Sequence, residues 1–556
     1  MTVISKKILD ADENALEQSN QNALAQVLSS STTGSQLHIV GDFGNGSSFT
    51  GTNLDDTVTI TGNLLGTLAT FPGNDPYNST VLDLKDGNDI VNVGGKAIAS
   101  SGRDLWISGD SGNKTISFDG GIENLGGYLS ITLSSGSHTL NVGSDLVATG
   151  DISSRAVNVI TIGDSNYDSF LNVNGSVISQ NDASNLVMVS GKHAKMFVAG
   201  SFIANEGDNQ FAFFGQTTEV KILGNIESSG YRMNNFGINS LDGSFVSGSL
   251  ISNKGKNSIN TGYMDENALQ VDSFLITING NVEVYDNGTN SIGSYAQTVL
   301  EVNGDIINQS PNSDKNAIDP ENRFQLSDLD DSLTFLGNFF ANSGANNIFA
   351  GGGNDDLYIE GNVHAENIGG LNLFDLGSGN DIMTLIGNVT ATNGGKNKID
   401  AGSGDDIIHL NGHIDAGALQ IDGGEGNDTL ILTASTLSRF EANYKDWLVD
   451  LSSSGLLASN IETIRLDVRN VQPNKIGWLT DLINQANADG ANITLEDKNG
   501  NVITEPQLGL AADSGSANAF SIMADQHSAD SASARDFAND NYNAAFDQHA
   551  QTALIV

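Results

Sequence analysis

One short pattern recurs through most of this 556-residue chain: an apolar residue, any residue, glycine, any residue and a second apolar residue. The glycines of its ten clearest copies follow one another at steps of 25, 24, 24, 32, 24, 33, 24, 26 and 25 residues. A period held over so many copies indicates a solenoid, in which each repeat is one coil stacked on the next. The two long steps predict loops inserted at a corner of the coil. The copies are centred on Gly175, Gly200, Gly224, Gly248, Gly280, Gly304, Gly337, Gly361, Gly387 and Gly412.

Apolar residues alternate with polar ones inside each period, for example at Leu357, Ile359 and Val363, and at Leu385 and Val389. Alternation with a period of two is typical of strands that bury one face. The segments between these strands are rich in Gly, Asn, Asp and Ser, which tolerate turn conformations. The sequence therefore predicts an all-β fold, a β-solenoid of the parallel β-helix or β-roll kind, with about 24 to 26 residues per coil.

The remaining parts of the chain are expected to close the ends of this array, because an open terminal coil is an exposed strand edge. Residues 1–35 contain amphipathic helical spacing and predict a short helical cap, and 36–433 form the solenoid. Residues 434–498 break the period and predict an irregular capping region with a short helix near 476–488. Residues 499–556, rich in Ala, Ser and Asp, are expected to be a flexible acidic tail.

Charge and composition exclude several classes of partner. The formal net charge is −43, so nucleic acid and anionic membranes would be repelled and divalent cations attracted. The chain has no cysteine, hence no disulfide framework and no thiolate metal site. We expect no direct membrane insertion, since no apolar stretch reaches about 18 residues.

A sharper pattern stands at one corner of several coils. It reads GGEGNDTLI at 423–431, AGSGDDIIH at 401–409, LGSGNDIMT at 376–384, AGGGNDDLY at 350–358 and LKDGNDIVN at 84–92. Glycines allow a tight turn whose carbonyls point inward, the aspartate adds a carboxylate, and Ca²⁺ takes six to eight oxygen ligands. The candidate metal ligands and turn residues are Gly353, Asp355, Gly379, Asp381, Gly404, Asp406, Gly424, Gly426, Asp428 and Asp89.

These turns resemble those of the RTX, or haemolysin-type calcium-binding repeat, proteins. The resemblance covers about 350–433 and the separate copy near 84–92, but this chain has one such turn per coil instead of tandem nine-residue repeats. It implies calcium as the cofactor and type I secretion machinery as a partner, read from a C-terminal segment such as FDQHAQTALIV. It also implies a secreted, extracellular, cell-surface-associated protein whose carboxylates repel one another until calcium binds.

Three functional classes follow. The first is a non-enzymatic structural protein of the bacterial cell surface, a surface-layer or extracellular-matrix component that self-associates or binds other cell-surface components. The second is an adhesin or other interaction protein on the same scaffold. The third, an enzyme acting on polysaccharide, is disfavoured because no catalytic motif is present.

Two further groups of residues are interpreted as structural. The segments LDDTVTI at 54–60 and LDDSLTF at 329–335 keep a double aspartate but have leucine where the turn needs glycine. His409 and His413 are four residues apart in HLNGH. That spacing does not place two side chains on one face of a strand and turn, so we expect solvent-facing histidines and no transition-metal site.

Overall fold

The chain is a parallel β-solenoid whose regular coils have three strands and three corners. This computed structural model describes residues 34–44, 48–68, 80–150, 156–262, 273–310, 320–415, 417–433, 449–451, 456–467, 480, 483–484, 487–488 and 494–502. In one representative coil the strands are Asp356–Glu360, Val363–Glu366 and Leu371–Asp375. Each pairs in parallel with the equivalent strand of the next coil, 25 or 26 residues further along. The predicted fold class is confirmed.

Equivalent strands form three stacks along the solenoid. The first stack contains Gln36–Ile39, Thr57–Ile60, Asp89–Val93, Lys114–Phe118, His138–Val142, Ser169–Val173, Ser273–Ile278, Gln297–Val302, Ser332–Phe335, Asp356–Glu360, Ile382–Ile386, Ile407–Asn411, Thr429–Thr433, Thr463–Asp467 and Thr494–Asp497. The second contains Phe43–Gly44, Leu64–Leu65, Ala97–Ser100, Ile122–Leu125, Leu146–Thr149, Val177–Gln180, Phe202–Asn205, Ile226–Ser229, Leu250–Asn253, Val282–Tyr285, Ile306–Asn308, Phe339–Asn342, Val363–Glu366 and Val389–Thr392. The third contains Phe49–Thr50, Thr80–Asp83, Arg103–Gly109, Tyr128–Leu133, Val157–Ile162, Lys256–Thr261, Thr289–Ser294, Glu321–Gln325, Ala345–Phe349, Leu371–Asp375, Lys396–Asp400, Leu419–Asp422 and Leu456–Ser459.

Three coils in the middle of the solenoid lack the corner between the third and first stacks. There a single strand runs through both stacks, as Ser184–Val198, Asp208–Ile222 and Met233–Ser247. Two short strands lie outside the stacks and pair antiparallel: Thr67–Leu68 with Arg103–Gly109, and Val449–Leu451 with Leu456–Ser459. The first stack, with the three strands that run through it, contains 18 consecutively paired strands. Because neighbouring strands lie about 4.8 Å apart, the described rod is roughly 80 Å long.

The main core is an apolar column inside the three-sided coils, reaching from Leu37 to Leu495, with a small separate cluster of Ala148, Ala156 and Ala183. The alternating residues identified in the sequence point into it; Leu357, Ile359 and Val363, for example, are fully buried. Phenylalanines fill its middle, where the ring of Phe202 meets that of Phe236 in the next coil edge to face, with centroids 4.9 Å apart. Edge-to-face contact is the geometry that aromatic pairs prefer, so these layers interlock between coils.

A ladder of buried asparagines lines the core beside the third stack. Each donates a side-chain N–H to the side-chain oxygen of the next at 2.8–3.0 Å, through eleven residues: Asn124, Asn158, Asn185, Asn209, Asn234, Asn257, Asn290, Asn322, Asn346, Asn372 and Asn397. The same amides also donate to main-chain carbonyls at the corner between the second and third stacks, as Asn234 does to Glu227. The ladder therefore satisfies buried polar groups that a bend in the chain would otherwise leave without partners.

Strand stacking continues beyond residue 433, where the sequence pattern ends the solenoid. Thr463–Asp467 pairs in parallel with Thr429–Thr433, and Thr494–Asp497 pairs with it in turn. Helical residues are described at 480, 483–484 and 487–488, within the short helix expected at 476–488. The N-terminal helical cap up to residue 33 and the acidic tail from 503 lie outside the described residues. So do residues 434–448.

The two long repeat steps correspond to different corners. Residues 263–272 fall between the third and first stacks, and residues 311–319 between the second and third. Both segments lie outside the described residues. Their positions agree with insertion at corners, though at two corners instead of one.

Candidate metal site at the stacked Gly-Asp turns

The four C-terminal Gly-Asp turns lie directly above one another, where each third-stack strand passes into the first stack. Strand register aligns the residues that follow the aspartates, Asp356 with Ile382, Ile382 with Ile407, and Ile407 with Thr429. Asp355, Asp381, Asp406 and Asp428 therefore form one column along the rod. The structure brings together the four carboxylates that the sequence singled out in this region.

Hydrogen bonds between coils hold the column in a fixed order. The main-chain N–H of Asp355 donates to Oδ1 of Asp381 at 2.8 Å, and that of Asp381 donates to Oδ1 of Asp406 at 2.8 Å. Asp406 donates in the same way to Asp428 at 2.9 Å. The next acceptor is Oε2 of Glu462, at 2.8 Å from the Asp428 nitrogen. One oxygen of each aspartate is thus used to join two coils.

The second oxygen, Oδ2, of all four aspartates is buried and accepts no hydrogen bond within the protein. The four residues are 0 to 2% exposed. Burial raises the pKa of Asp355 to about 8 and those of Asp381, Asp406 and Asp428 to about 6. A buried carboxylate oxygen without a donor is costly, so each of these oxygens needs a proton or a cation.

Two other aspartates of the same column, Asp331 and Asp56, do have hydrogen-bond donors for their second carboxylate oxygen. The Oδ2 atom of Asp331 accepts the N–H and the hydroxyl of Ser327, at 3.2 and 3.1 Å. In the coil of Asp56, Thr52 donates its N–H to Oδ2 and its hydroxyl to Oδ1. The residue four places before the aspartate is thus Ser or Thr here. It is glycine, which has no hydroxyl, in the four C-terminal turns: Gly351, Gly377, Gly402 and Gly424.

The fifth predicted site, Asp89, has a partner of another kind. The ammonium nitrogen of Lys114 lies 2.9 Å from Asp89 Oδ2, and both side chains are fully buried. Burial still raises the pKa of Asp89 to about 6, against the opposing effect of hydrogen bonds from Asp56 and Lys114. A lysine ammonium group therefore already lies beside this carboxylate, and metal binding by Asp89 stays a prediction.

Turn glycines at the predicted positions have the left-handed conformation that the motif requires. Their φ angles lie between 98° and 142° for Gly353, Gly379, Gly404, Gly424 and Gly426. A methyl group on Gly379 would also overlap the carbonyl oxygen of Gly353 in the coil before. Because no other residue combines this φ with so close an approach, glycine is needed for the turns to stack.

A separate series of hydrogen bonds between coils runs on the exposed side of the same turns. The main-chain N–H of Asn354, Asn380, Asp405 and Asn427 donates to a side-chain oxygen of the preceding coil at 2.7–2.9 Å. In the buried column of aspartates, by contrast, the main-chain N–H donates toward the following coil, as Asp355 does to Asp381. The turns are therefore fixed to one another from both sides, and the buried Oδ2 atoms lie in a preformed setting.

This setting fits a hard cation in the chemistry of its donors. Among the described residues, no three acidic or histidine side chains converge on one point. A calcium ion, which takes six to eight oxygens, would therefore have to be held by carbonyl oxygens of the turns together with Asp355, Asp381, Asp406 and Asp428. That these residues bind metal remains a prediction.

Sequence reasoning missed some residues of this region. His409 is 3% exposed, so the expectation of a solvent-facing side chain is wrong, and burial lowers its pKa to about 4. His413 is half-buried beside Asp415, at 3.0 Å. Lys114 could have been found by aligning the 84–92 turn with the next coil, GDSGNKTIS, where lysine stands in place of aspartate.

Comparison with known proteins adds little to this geometry. No protein-family model matches the chain. No curated protein matches it at a significant level. One solved structure with some similarity is the X-ray crystal structure of a hyperactive, Ca²⁺-dependent, β-helical antifreeze protein from an Antarctic bacterium, at 14% identity over 86% of this chain and 96% of that one. The TM-score is 0.27, too low for any inference about this chain.

The described part of the chain contains no helix that is both long and apolar enough to span a membrane.

Proposed function

We propose that this chain is a calcium-binding structural protein of the RTX type, exported from a bacterium and acting at the cell surface. The observation that carries the proposal is the row of four buried Oδ2 atoms without donors, in turns of the sequence form that RTX proteins use. Once ionised, carboxylates stacked in one column repel one another. A divalent cation between successive turns removes this repulsion and joins the coils.

Calcium would cross-link neighbouring coils here and so stabilise the folded state. The chain has no cysteine, so disulfides cannot serve as cross-links. Binding that occurs only in the folded state adds to the free energy of unfolding, and millimolar calcium outside cells would favour the closed array. In a cytosol with little calcium the C-terminal turns would stay open, which suits export through a type I system.

Isothermal titration calorimetry and circular dichroism test the calcium proposal directly. Full-length protein stripped with EGTA should bind several calcium ions, gain strand signal and melt at a higher temperature when calcium is restored. Magnesium at the same concentration is the matched control, because it prefers a rigid octahedral shell with several waters. Absence of calcium binding in the millimolar range would rule the proposal out.

A structural role at the surface is the further part of this proposal, with self-association or binding to cell-surface components. Negative-stain microscopy of calcium-treated protein, and of intact cells, distinguishes a surface layer or matrix from an adhesin. An ordered lattice supports the first, and single rods bound to a partner support the second. We also propose that the chain is not an enzyme; turnover of any polymer in a panel of uronic-acid polysaccharides would contradict this.

A further inference from the structure

Lys114 occupies the same column as the four aspartates of the C-terminal turns, Asp355, Asp381, Asp406 and Asp428. Its coil aligns with the 84–92 turn through the pairing of Lys114 with Asp89, and the next coil places His138 beside it. The turn that precedes Lys114, at 109–113, stacks directly on the turn that precedes Asp89. Lys114 thus stands where one more aspartate would extend the column from Asp89 into the next coil.

The ammonium group of Lys114 has the surroundings of a bound cation. It donates to the carbonyl oxygens of Gly87 and Ser111 at 2.6 and 2.7 Å, in addition to its contact with Asp89 Oδ2 at 2.9 Å. One carbonyl belongs to the Asp89 turn and the other to the turn above it. The nitrogen therefore lies between two stacked turns and contacts oxygens of both.

The equivalent oxygens are present in the C-terminal turns. Gly87 corresponds to Gly353, Gly379, Gly404 and Gly426, and the carboxylate corresponds to the aspartates whose Oδ2 atoms lack donors. There, however, the next coil contributes another carboxylate, from Asp381, Asp406, Asp428 or Glu462, and no lysine. The two regions share the oxygens and differ in the source of the positive charge.

We infer that Lys114 supplies, as a tethered ammonium, the cation that the Asp89 turn would otherwise take from solution, so that this turn folds without metal. The comparison with calcium rests on the proposed function, whereas the pairing of Lys114 with Asp89 does not. Replacing the lysine by the aspartate of the C-terminal turns should convert this position into one more metal site.

Two variants of full-length protein test the inference. K114D shortens the side chain and restores the aspartate column; it should unfold at lower urea concentration in EGTA, recover in millimolar calcium and bind one calcium more than wild type. K114M fills the same space without charge; it should be less stable than wild type whether or not calcium is present. K96M is the matched control, since Lys96 forms an exposed ion pair with Glu123 and should leave the calcium count unchanged.

A double-mutant cycle in EGTA separates this inference from the proposed function. D89N combined with K114M removes both buried charges, and this double variant should be clearly more stable than K114M alone. If K114M equals wild type in stability, or the double variant gains nothing over it, the inference is wrong. If wild type takes up no calcium, the proposed function fails, but the cycle still decides the role of Lys114. If wild type binds calcium and K114D binds no more than wild type, the two kinds of turn are not equivalent.

Discussion

Individual residues in this solenoid act mainly through the coil above or below them. Asp331 and Asp381 occupy the same column, and each gives one oxygen to a main-chain N–H of the preceding coil. They differ because Ser327 satisfies the second oxygen of Asp331, while Gly377 offers no side-chain donor to Asp381. The N–H and hydroxyl of Ser327 thus give Asp331 two donors that Asp381 lacks, although burial raises the pKa of both carboxyl groups to about 6.

Changing these two aspartates to asparagine should therefore have different effects. D381N keeps the oxygen that joins the coils but removes the negative charge, so we expect calcium affinity to fall at least tenfold and one binding equivalent to be lost. D331N is the control and should leave the calcium count unchanged. Calorimetric titration of both variants measures this, and equal calcium binding by the two would contradict the assignment.

The metal-free protein should become less stable as pH rises. Burial raises the pKa of Asp355 to about 8 and those of Asp381, Asp406 and Asp428 to about 6, whereas an unfolded aspartate titrates near 4. A raised pKa in the folded state gives stability that is complete below about pH 4 and is lost as pH climbs through about 6 to 8. Thermal melting in EGTA at pH 5 and pH 8 measures the difference. Calcium should reduce it, and higher stability at pH 8 without metal would contradict it.

Gly379 should tolerate no side chain. Its φ is 139°, and an added methyl would overlap the carbonyl of Gly353, so G379A should unfold these turns. G417A is the matched control, because Gly417 also has a positive φ, 70°, but has open space around its Cα. The control should cost about 1 kcal/mol of stability from backbone strain alone. Urea denaturation of both variants separates strain from steric overlap, and similar losses would contradict the stacking requirement.

Elements are held together here by ladders as much as by the apolar column. Strands of only four or five residues are too short to be stable alone, and parallel pairing gains from burial on the inner face. The asparagine ladder adds a continuous row of amide hydrogen bonds at the corner where the chain turns into the third stack. Because each amide bonds to the next one, removing one leaves polar groups without partners in two neighbouring coils.

The middle of this ladder should be sensitive to substitution. N234A removes the donor to Asn257 and the acceptor for Asn209, so we expect a loss of about 1–3 kcal/mol in the free energy of unfolding. N235A, on the outer face of the same strand, is the control and should change it by less than about 0.5 kcal/mol. Chemical denaturation of both proteins compares them. Equal stability would mean that the ladder contributes little.

At the scale of the whole molecule, the carboxylate column is confined to the two ends of the rod. Between Asp89 and Asp331 the same column contains no acidic residue; it is occupied by Lys114, His138, Ser169, Ala194, Thr218, Gly243, Phe274 and Thr298. The middle coils therefore present no carboxylate in this column that could bind calcium. In three of them a continuous strand replaces the turn. Calcium dependence should be local.

Hydrogen exchange with and without EGTA should map this difference. Calcium removal should speed exchange in the coils at 350–433, where repelling carboxylates are no longer neutralised, and should leave Asp208–Ile222 and Met233–Ser247 protected. The middle coils serve as the internal control. Uniform loss of protection along the rod, or no change at 350–433, would contradict a calcium row restricted to these turns.

The sequence by itself determined the period, the buried face and the turns of this protein. Alternating residues such as Leu357 and Ile359 and the glycines of the Gly-Asp motif are local signals, read within a few neighbouring positions. The tertiary structure alone decided what each corner residue faces in the next coil, some 22 to 34 residues away. The lysine beside Asp89, the buried His409 and the stacking beyond residue 433 follow from that register. The residue types determine which hydrogen-bonding groups a coil contains. Whether a given carboxylate oxygen has a hydrogen-bond donor depends on how two neighbouring coils are aligned.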